Sequence, residues 1–313
     1  MVSRSRNIMK ATSTDEFLEW EHVLEKYLAY LKGCGRASST IHFYKDQVTR
    51  FYKSQAPLWD DEKEAFLAWN GEPQIHTNHR LDACKRFWDW GIREEYRHNN
   101  PAAAVTKRIV DKRPIVNVSL GDIEKIARAF RDEYRSKPAQ WERIRNYAYL
   151  LFSIGTGIRP GEGLHIRRSD FNLREGYAVV RGESVKTRQS RIVYIPQHKD
   201  LLRLLQRMIK IQVQSGLPLE SPLFSDSSGK RINTRSWFHI VDKRAKNLGI
   251  RIRPYDFRHA FITHSLMNGA NPYDIRDQVG HSNMEMMKRY YHSSPEARQS
   301  TANLAPLQKI SIN

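Results

Sequence analysis

Eight polar side chains in the second half of the chain stand where chemistry is conceivable. Arg159 follows the glycine turn of "GTGIRPGEGLHI", and Glu162 lies three residues further on. Lys186 sits in "ESVKTRQSR". Arg258 sits in "RPYDFRHAFITHSL", with Tyr255 three residues before it. His281 follows Gly280, and nine residues later Tyr290 stands beside Tyr291 in "MKRYYHS". An arginine at a helix N-terminus adds its donors to backbone N–H groups that already favour an anion. An ammonium on a hairpin can reach a polyanionic backbone and give up a proton. A tyrosine hydroxyl becomes a nucleophile once its proton is removed or its pKa falls. Each position alone also has a plainer explanation. Arg159 and Glu162 form a common i,i+3 pair. Lys186 is then a solvated turn lysine, Arg258 a helix-start arginine among core neighbours, His281 a satisfied structural histidine, and the tyrosines surface aromatics.

The elements that must hold these side chains can be read from periodicity. In "DEFLEWEHVLEKYLAYLK", Phe17, Trp20, Leu24, Tyr27, Leu28 and Leu31 recur at helical spacing, with Asp15 as a cap and Gly33 and Gly35 as the stop. A second helix opens at Ser38 or Ser39, with the stripe Ile41, Tyr44, Val48 and Phe51. "DDEKEAFLAWN" and "NHRLDACKRFWDWGIREEY" predict two more helices, so the first 100 residues form an all-helical unit. "NNPAAAVTKRIVDKRPIVNVSL" has two prolines, four basic residues and little periodicity, which marks a basic interdomain linker. A helix restarts at Ser119, whose spacing to Asp122 is an acidic variant of a capping box. Residues 143–168 predict a long helix, a glycine turn and another helix. "YAVVRGESVKTRQSRIVYIP" reads as a hairpin, and from Arg235 the pattern is helical to about 300. The expected fold is mainly α with one small antiparallel sheet. Its parts are a tail over 1–14, a helical domain over 15–104, a linker over 105–118 and a mixed α+β domain over 119–313.

Bulk properties narrow the partners. Lys and Arg total 52 against 34 Asp and Glu, a formal charge of +18, which favours a polyanion, nucleic acid foremost. No apolar run approaches the ~20 residues of a membrane span, and "MVSRSRNIMKATSTDEF" lacks the apolar core of a signal peptide. Cys34 and Cys84 have no metal spacing and read as free thiols of a reducing, cytoplasmic setting. The twelve histidines have no HExxH or CxxC companions, so no metal or other cofactor is expected.

The order and spacing of the motifs resemble the catalytic domain of the tyrosine recombinases, the phage integrase family. The matching text is "TGIRPGEGLHIRRSDF", "VKTRQSRIVYIP" and "YDFRHAFITHSLMNGANPYDIRDQVGHSNMEMMKRYYH". Residues 17–54 resemble the family's helical core-binding domain, and "NNPAAAVTKRI" its linker. The resemblance implies that Arg159 and Arg258 bind the phosphate and that Lys186 protonates the leaving oxygen. It makes His281 the later histidine, Tyr290 the nucleophile, and Glu162 the support of the first arginine. Tyr290 has His281 nine positions before it and His292 two after, as in the family; Tyr291 fits neither count. One position departs: the family usually has histidine three residues before the second arginine, where this chain has Tyr255. A phenol can donate a hydrogen bond there, but with a pKa of about 10 it is a poor proton acceptor.

The implied activity is site-specific strand exchange through a 3′-phosphotyrosyl link. The arginines neutralise the phosphodiester, and one ester replaces another without ATP. The implied partners are double-stranded DNA with paired inverted core sites and three further copies of the chain, two protomers per site and a tetramer across two. The sequence leaves open whether an accessory directionality factor takes part. It also leaves open whether the role is integration, excision, transposition or dimer resolution. Type IB topoisomerase-like relaxation and an inactive DNA-binding regulator are the alternatives.

Overall fold

The computed structural model describes residues 13–54, 74–107, 109, 119–184, 189–288 and 290. The chain divides into two compact units, Met1–Arg113 and Pro114–Asn313.

The first unit contains α1 (Ser13–Gly33), α2 (Ser38–Ser54) and α3 (Gln74–Arg93). Their apolar stripes make one aromatic-rich core. Trp20, Leu24, Tyr27 and Leu31 of α1 and Val48 and Phe51 of α2 meet Leu81, Phe87 and Trp88 of α3. Trp20 stacks on Tyr52 at 4.7 Å, and the Trp88 indole N–H donates to the Tyr52 hydroxyl at 2.9 Å. The Lys85 ammonium donates to the carbonyls of Ala103 and Val105, tying the end of the unit back onto α3. The helix expected in "DDEKEAFLAWN" and most of the basic linker lie outside the described residues.

The second unit starts with α4 (Leu120–Ser136), capped by Ser119, whose Oγ accepts from the Asp122 N–H at 3.0 Å. Ile123, Ile126 and Phe130 turn inward at helical spacing. They pack on α5 (Trp141–Thr156), the most buried helix, which ends where Gly157 adopts φ 62. The second helix expected before residue 168 is only one turn, α6 (Pro160–Gly163). Two glycines in "PGEG" give a longer helix little intrinsic support, and the Tyr149 hydroxyl clamps the turn by donating to the Pro160 carbonyl.

The hairpin has a third strand. β1 (Phe171–Asn172), β2 (Tyr177–Val180) and β3 (Arg191–Tyr194) form an antiparallel sheet in that order, with Tyr177 opposite Tyr194 and Val180 opposite Arg191. Helix α7 (Lys199–Gln214) is unanticipated, although Leu201, Leu204, Leu205 and Met208 all fall on its buried side. The helical stretch after Arg235 is four separate pieces: α8 (Thr234–Asn247), α9 (Pro254–Met267), α10 (Pro272–Val279) and α11 (Glu285–Lys288). The main core gathers Ile126, Ile144, Tyr149, Phe152, Phe224, Trp237 and Phe257. A smaller cluster of Ile262, Ile275, Val279 and Met287, with Tyr290 packed against it, holds the C-terminal elements in place. Among the described residues no helix is long and apolar enough to cross a membrane, and no group of three His, Cys, Asp or Glu is placed to hold a metal ion.

Candidate active site

Arg159 occupies the N-cap position of α6 in extended backbone, φ −65 and ψ 135, immediately before Pro160. Its Nη1 donates to Glu162 Oε1 at 2.9 Å and its Nη2 to the Gly280 carbonyl at 2.8 Å. Glu162 is buried, and its second oxygen accepts from Arg191 Nη2 at 2.6 Å. One carboxylate therefore sits between two guanidinium groups brought from α6 and β3.

Arg258 lies in the first turns of α9 and is only 4% exposed. Its Nη1 donates to the Gly157 carbonyl at 2.9 Å and the Val279 carbonyl at 2.7 Å. The same Val279 oxygen is 3.5 Å from Arg159 Nη1, so both arginines converge on one carbonyl. Arg258 Nη2 is buried and has no hydrogen-bond partner among the described residues. A donor left unpaired in an interior is costly, and an anion is the partner that would satisfy it. Burial, then the Arg159 charge, presses the Arg258 pKa down to about 9, with Glu162 opposing. The guanidinium remains a cation at neutral pH. Three guanidinium groups against one carboxylate leave the site with an excess of positive charge.

Gly280 connects the two arginines to the histidine. It ends α10 at φ 70, a left-handed conformation that suits glycine. A Cβ there would also lie 2.6 Å from Arg191 Cζ, so the Arg191 side chain, which donates to Glu162, would have to shift. The turn delivers His281 to a buried position, with Nδ1 3.3 Å from Met287 Sδ. Burial first, then Arg258 and Arg159, holds the His281 imidazole at a pKa of about 3, so it is neutral at physiological pH.

Tyr290 follows α11, and its ring lies 6.4 Å from that of His281 and 5.7 Å from that of His259. Its hydroxyl is 2.6 Å from His259 Nδ1. Tyr255 is 45% exposed near the start of α9, its ring 5.9 Å from that of Phe238. Lys186, Tyr291 and His292 lie outside the described residues; Lys186 falls in the 185–188 segment between β2 and β3.

Arg159, Glu162, Arg258, His281 and Tyr290 thus come together from four separate stretches of chain. Two further members of the group, His259 and Arg191, have no role assigned to them by the sequence. His259 was visible in "FRHAF", directly after Arg258 and one helical turn beyond Tyr255. Arg191 had no signal of its own: it is one arginine among many until the sheet register places it beside Glu162. Such a group can bind a tetrahedral oxyanion through the guanidinium forks and present a phenol to it.

Comparisons with known proteins bear on the family and the fold. Residues 122–297 match the family model described as the phage integrase family. Tyrosine recombinase XerC of Thermodesulfovibrio yellowstonii is 26% identical over 272 residues, which cover 82% of this chain and 87% of that protein. Tyrosine recombinase XerA of Pyrococcus horikoshii is 24% identical over 276 residues, covering 86% and 88%. The fold is shared with the Tn1549 transposon integrase solved with a circular intermediate DNA: TM-score 0.65 and 18% identity, covering 90% of this chain and 99% of that one. It is shared also with a lambda integrase dimer bound to a COC′ core site, at TM-score 0.64 and 17% identity, covering 85% and 96%.

Proposed function

We propose, from the premise that this chain belongs to the phage integrase family and is a tyrosine recombinase, that it recombines DNA site-specifically through a 3′-phosphotyrosyl intermediate with Tyr290 as nucleophile. The observation that carries this reading is the unpartnered, buried Nη2 of Arg258 in a cationic pocket that also holds the Tyr290 ring.

The chemistry follows from the groups present. Arg159 and Arg258 bind the non-bridging oxygens of the scissile phosphate, and their hold tightens as charge builds in the transition state. Glu162 and Arg191 fix the Arg159 fork so that no side-chain ordering is left to the moment of reaction. His281, neutral, donates a hydrogen bond to the phosphate and adds no further charge to a crowded site. Tyr255, exposed on the same helix as Arg258, donates another through its phenol. Tyr290 attacks phosphorus, and the 5′-oxygen leaves with a proton from Lys186. A 5′-hydroxyl from a second strand then displaces the tyrosine. One ester replaces another, so bond energy is conserved.

The substrate is duplex DNA with paired inverted core sites, met in the cytoplasm. Residues 15–104 act as a core-binding domain, the linker over 105–118 joins it to the catalytic domain, and the exposed basic residues hold phosphates. Two protomers occupy each site, and four assemble across two. The same strand exchange serves integration, excision, transposition and dimer resolution. Trapping covalent complexes in native cells and sequencing the attached DNA tests the proposal and separates those roles. Recovery of one recurrent core sequence, lost in Tyr290→Phe, is the expected result. An unchanged adduct in Tyr290→Phe would refute it.

A further inference from the structure

We infer that His259 is the proton acceptor for Tyr290: its Nδ1 takes the phenolic proton as the tyrosine oxygen attacks phosphorus, and returns it when a 5′-hydroxyl displaces that oxygen. The inference rests on the reading of Tyr290 as nucleophile and adds to it the base that reading lacks.

Geometry carries it. The 2.6 Å between His259 Nδ1 and the Tyr290 hydroxyl is hydrogen-bond contact, the reach a general base needs. The two rings are 5.7 Å apart between centres and tilted by 32°. The contact spans 31 residues and joins α9 to the segment after α11.

The rival acceptors among the described residues are poorer. Arg159 and Arg258 are charged and have only donors to offer. His281 has its Nδ1 against the Met287 sulfur, and burial, then the surrounding guanidinium groups, makes it a very weak base. Tyr255, where the resemblance leads one to look for the imidazole, is a phenol packed toward Phe238. His259 lies one helical turn beyond Tyr255, on the same face of α9.

The electrostatic surroundings suit the role. Asp256 and Arg258 on its own helix bear on His259 with opposite signs, and His281 and Tyr290 face it from the C-terminal elements. Burial, with Arg258, outweighs Asp256 and holds the imidazole below its ordinary value, so it is neutral and ready to accept at physiological pH. With the ring proton on Nε2, Nδ1 carries the free lone pair. In the forward step the Tyr290 O–H bond breaks, Nδ1–H and O–P form, and the bond from phosphorus to the 5′-oxygen breaks as Lys186 protonates that oxygen. The reverse step restores each atom.

The test is single-turnover cleavage of a nicked duplex carrying the core sequence recovered from trapped complexes. The variants are His259→Asn, His259→Gln and Tyr290→Phe. Each amide can hydrogen-bond the phenol but cannot take its proton at neutral pH. Cleavage by both is expected to fall about 10²- to 10⁴-fold. The acid limb of the pH profile should vanish, while duplex binding and melting temperature hold. Two substitutions separate a lost base from a misplaced tyrosine. Fluorinated tyrosine at position 290, a more acidic phenol, should restore part of the lost rate in His259→Gln. A 5′-bridging phosphorothiolate, whose sulfur leaves without a proton, should not. Rescue by the phosphorothiolate, no relief from fluorotyrosine, or a wild-type rate and pH profile in His259→Gln would each overturn the inference. An adduct in Tyr290→Phe would instead overturn the reading beneath it.

Discussion

Replacing Glu162 by Gln removes the one carboxylate among Arg159, Arg191 and Arg258 while keeping the side chain's size. Glu162 is 6% exposed and accepts from Arg159 at 2.9 Å and from Arg191 at 2.6 Å. Breaking a buried, hydrogen-bonded ion pair by removing one partner costs about 3–5 kcal/mol. The Arg159 side chain is 28% exposed and keeps some water, which places this case near the lower figure, about 3 kcal/mol. In addition, the new amide N–H₂ must face a guanidinium, donor against donor. For a unit of this size each kcal/mol moves the melting temperature by about 2–4 °C, so a fall of about 6–12 °C is expected in calorimetry of the free protein. Bound duplex changes the outcome, because a phosphate placed between Arg159 and Arg258 supplies the missing negative charge. The deficit should shrink measurably with DNA, while cleavage slows more than binding because Arg159 has lost its support. A deficit below about 2 °C in the free protein would mean that Glu162 is not needed to offset the cationic cluster. An equal deficit with and without duplex would mean that no phosphate enters the cluster.

Tyr290→Phe is expected to abolish the covalent adduct while duplex binding persists, and Tyr291→Phe to retain the adduct on denaturing gels. Tyr255→Phe should slow cleavage about ten- to a hundredfold, the cost of one hydrogen bond to a charged group of about 1.5–3 kcal/mol. An unchanged rate would rule out a phosphate contact. The +18 charge predicts that duplex affinity falls with salt at a log–log slope of about −0.9 per neutralised phosphate; a flat response in a titration would contradict a DNA clamp. Stability should decline in acid through His281, whose folded pKa of about 3 lies below the ordinary 6.5. As pH falls below 6.5 the unfolded chain takes up a proton that the folded one refuses. The contribution is therefore complete above 6.5 and erodes toward pH 3 at up to about 1.4 kcal/mol per unit, a slope that His281→Gln should flatten in denaturant melts.

What the sequence determines by itself is local or ordinal. The Ser119 cap, the stripes of α1 and α2 and the turn at Gly157 rest on contacts within a few residues, so spacing alone reveals them. The order and spacing of Arg159, Lys186, Arg258, His281 and Tyr290 can be read in one dimension, and the resemblance to the family rests on them. What only the tertiary structure decides is which distant groups meet. The Val279 carbonyl receives both arginines across separations of 120 and 21 residues. Arg191 reaches Glu162 only because β3 pairs with β2 in one register, and a shift of one residue would turn its side chain to the opposite face. The depth of Arg258, a charge at 4% exposure, runs against what a residue-type rule expects and is possible only where backbone carbonyls from two other elements receive it. His259 was legible as a letter beside Arg258, but its meeting with the Tyr290 hydroxyl depends on how the small cluster of Ile262, Ile275, Val279 and Met287 packs the end of the chain against α9. Packing of that kind is set by the shapes of many side chains at once, and no spacing rule along one strand of text encodes it.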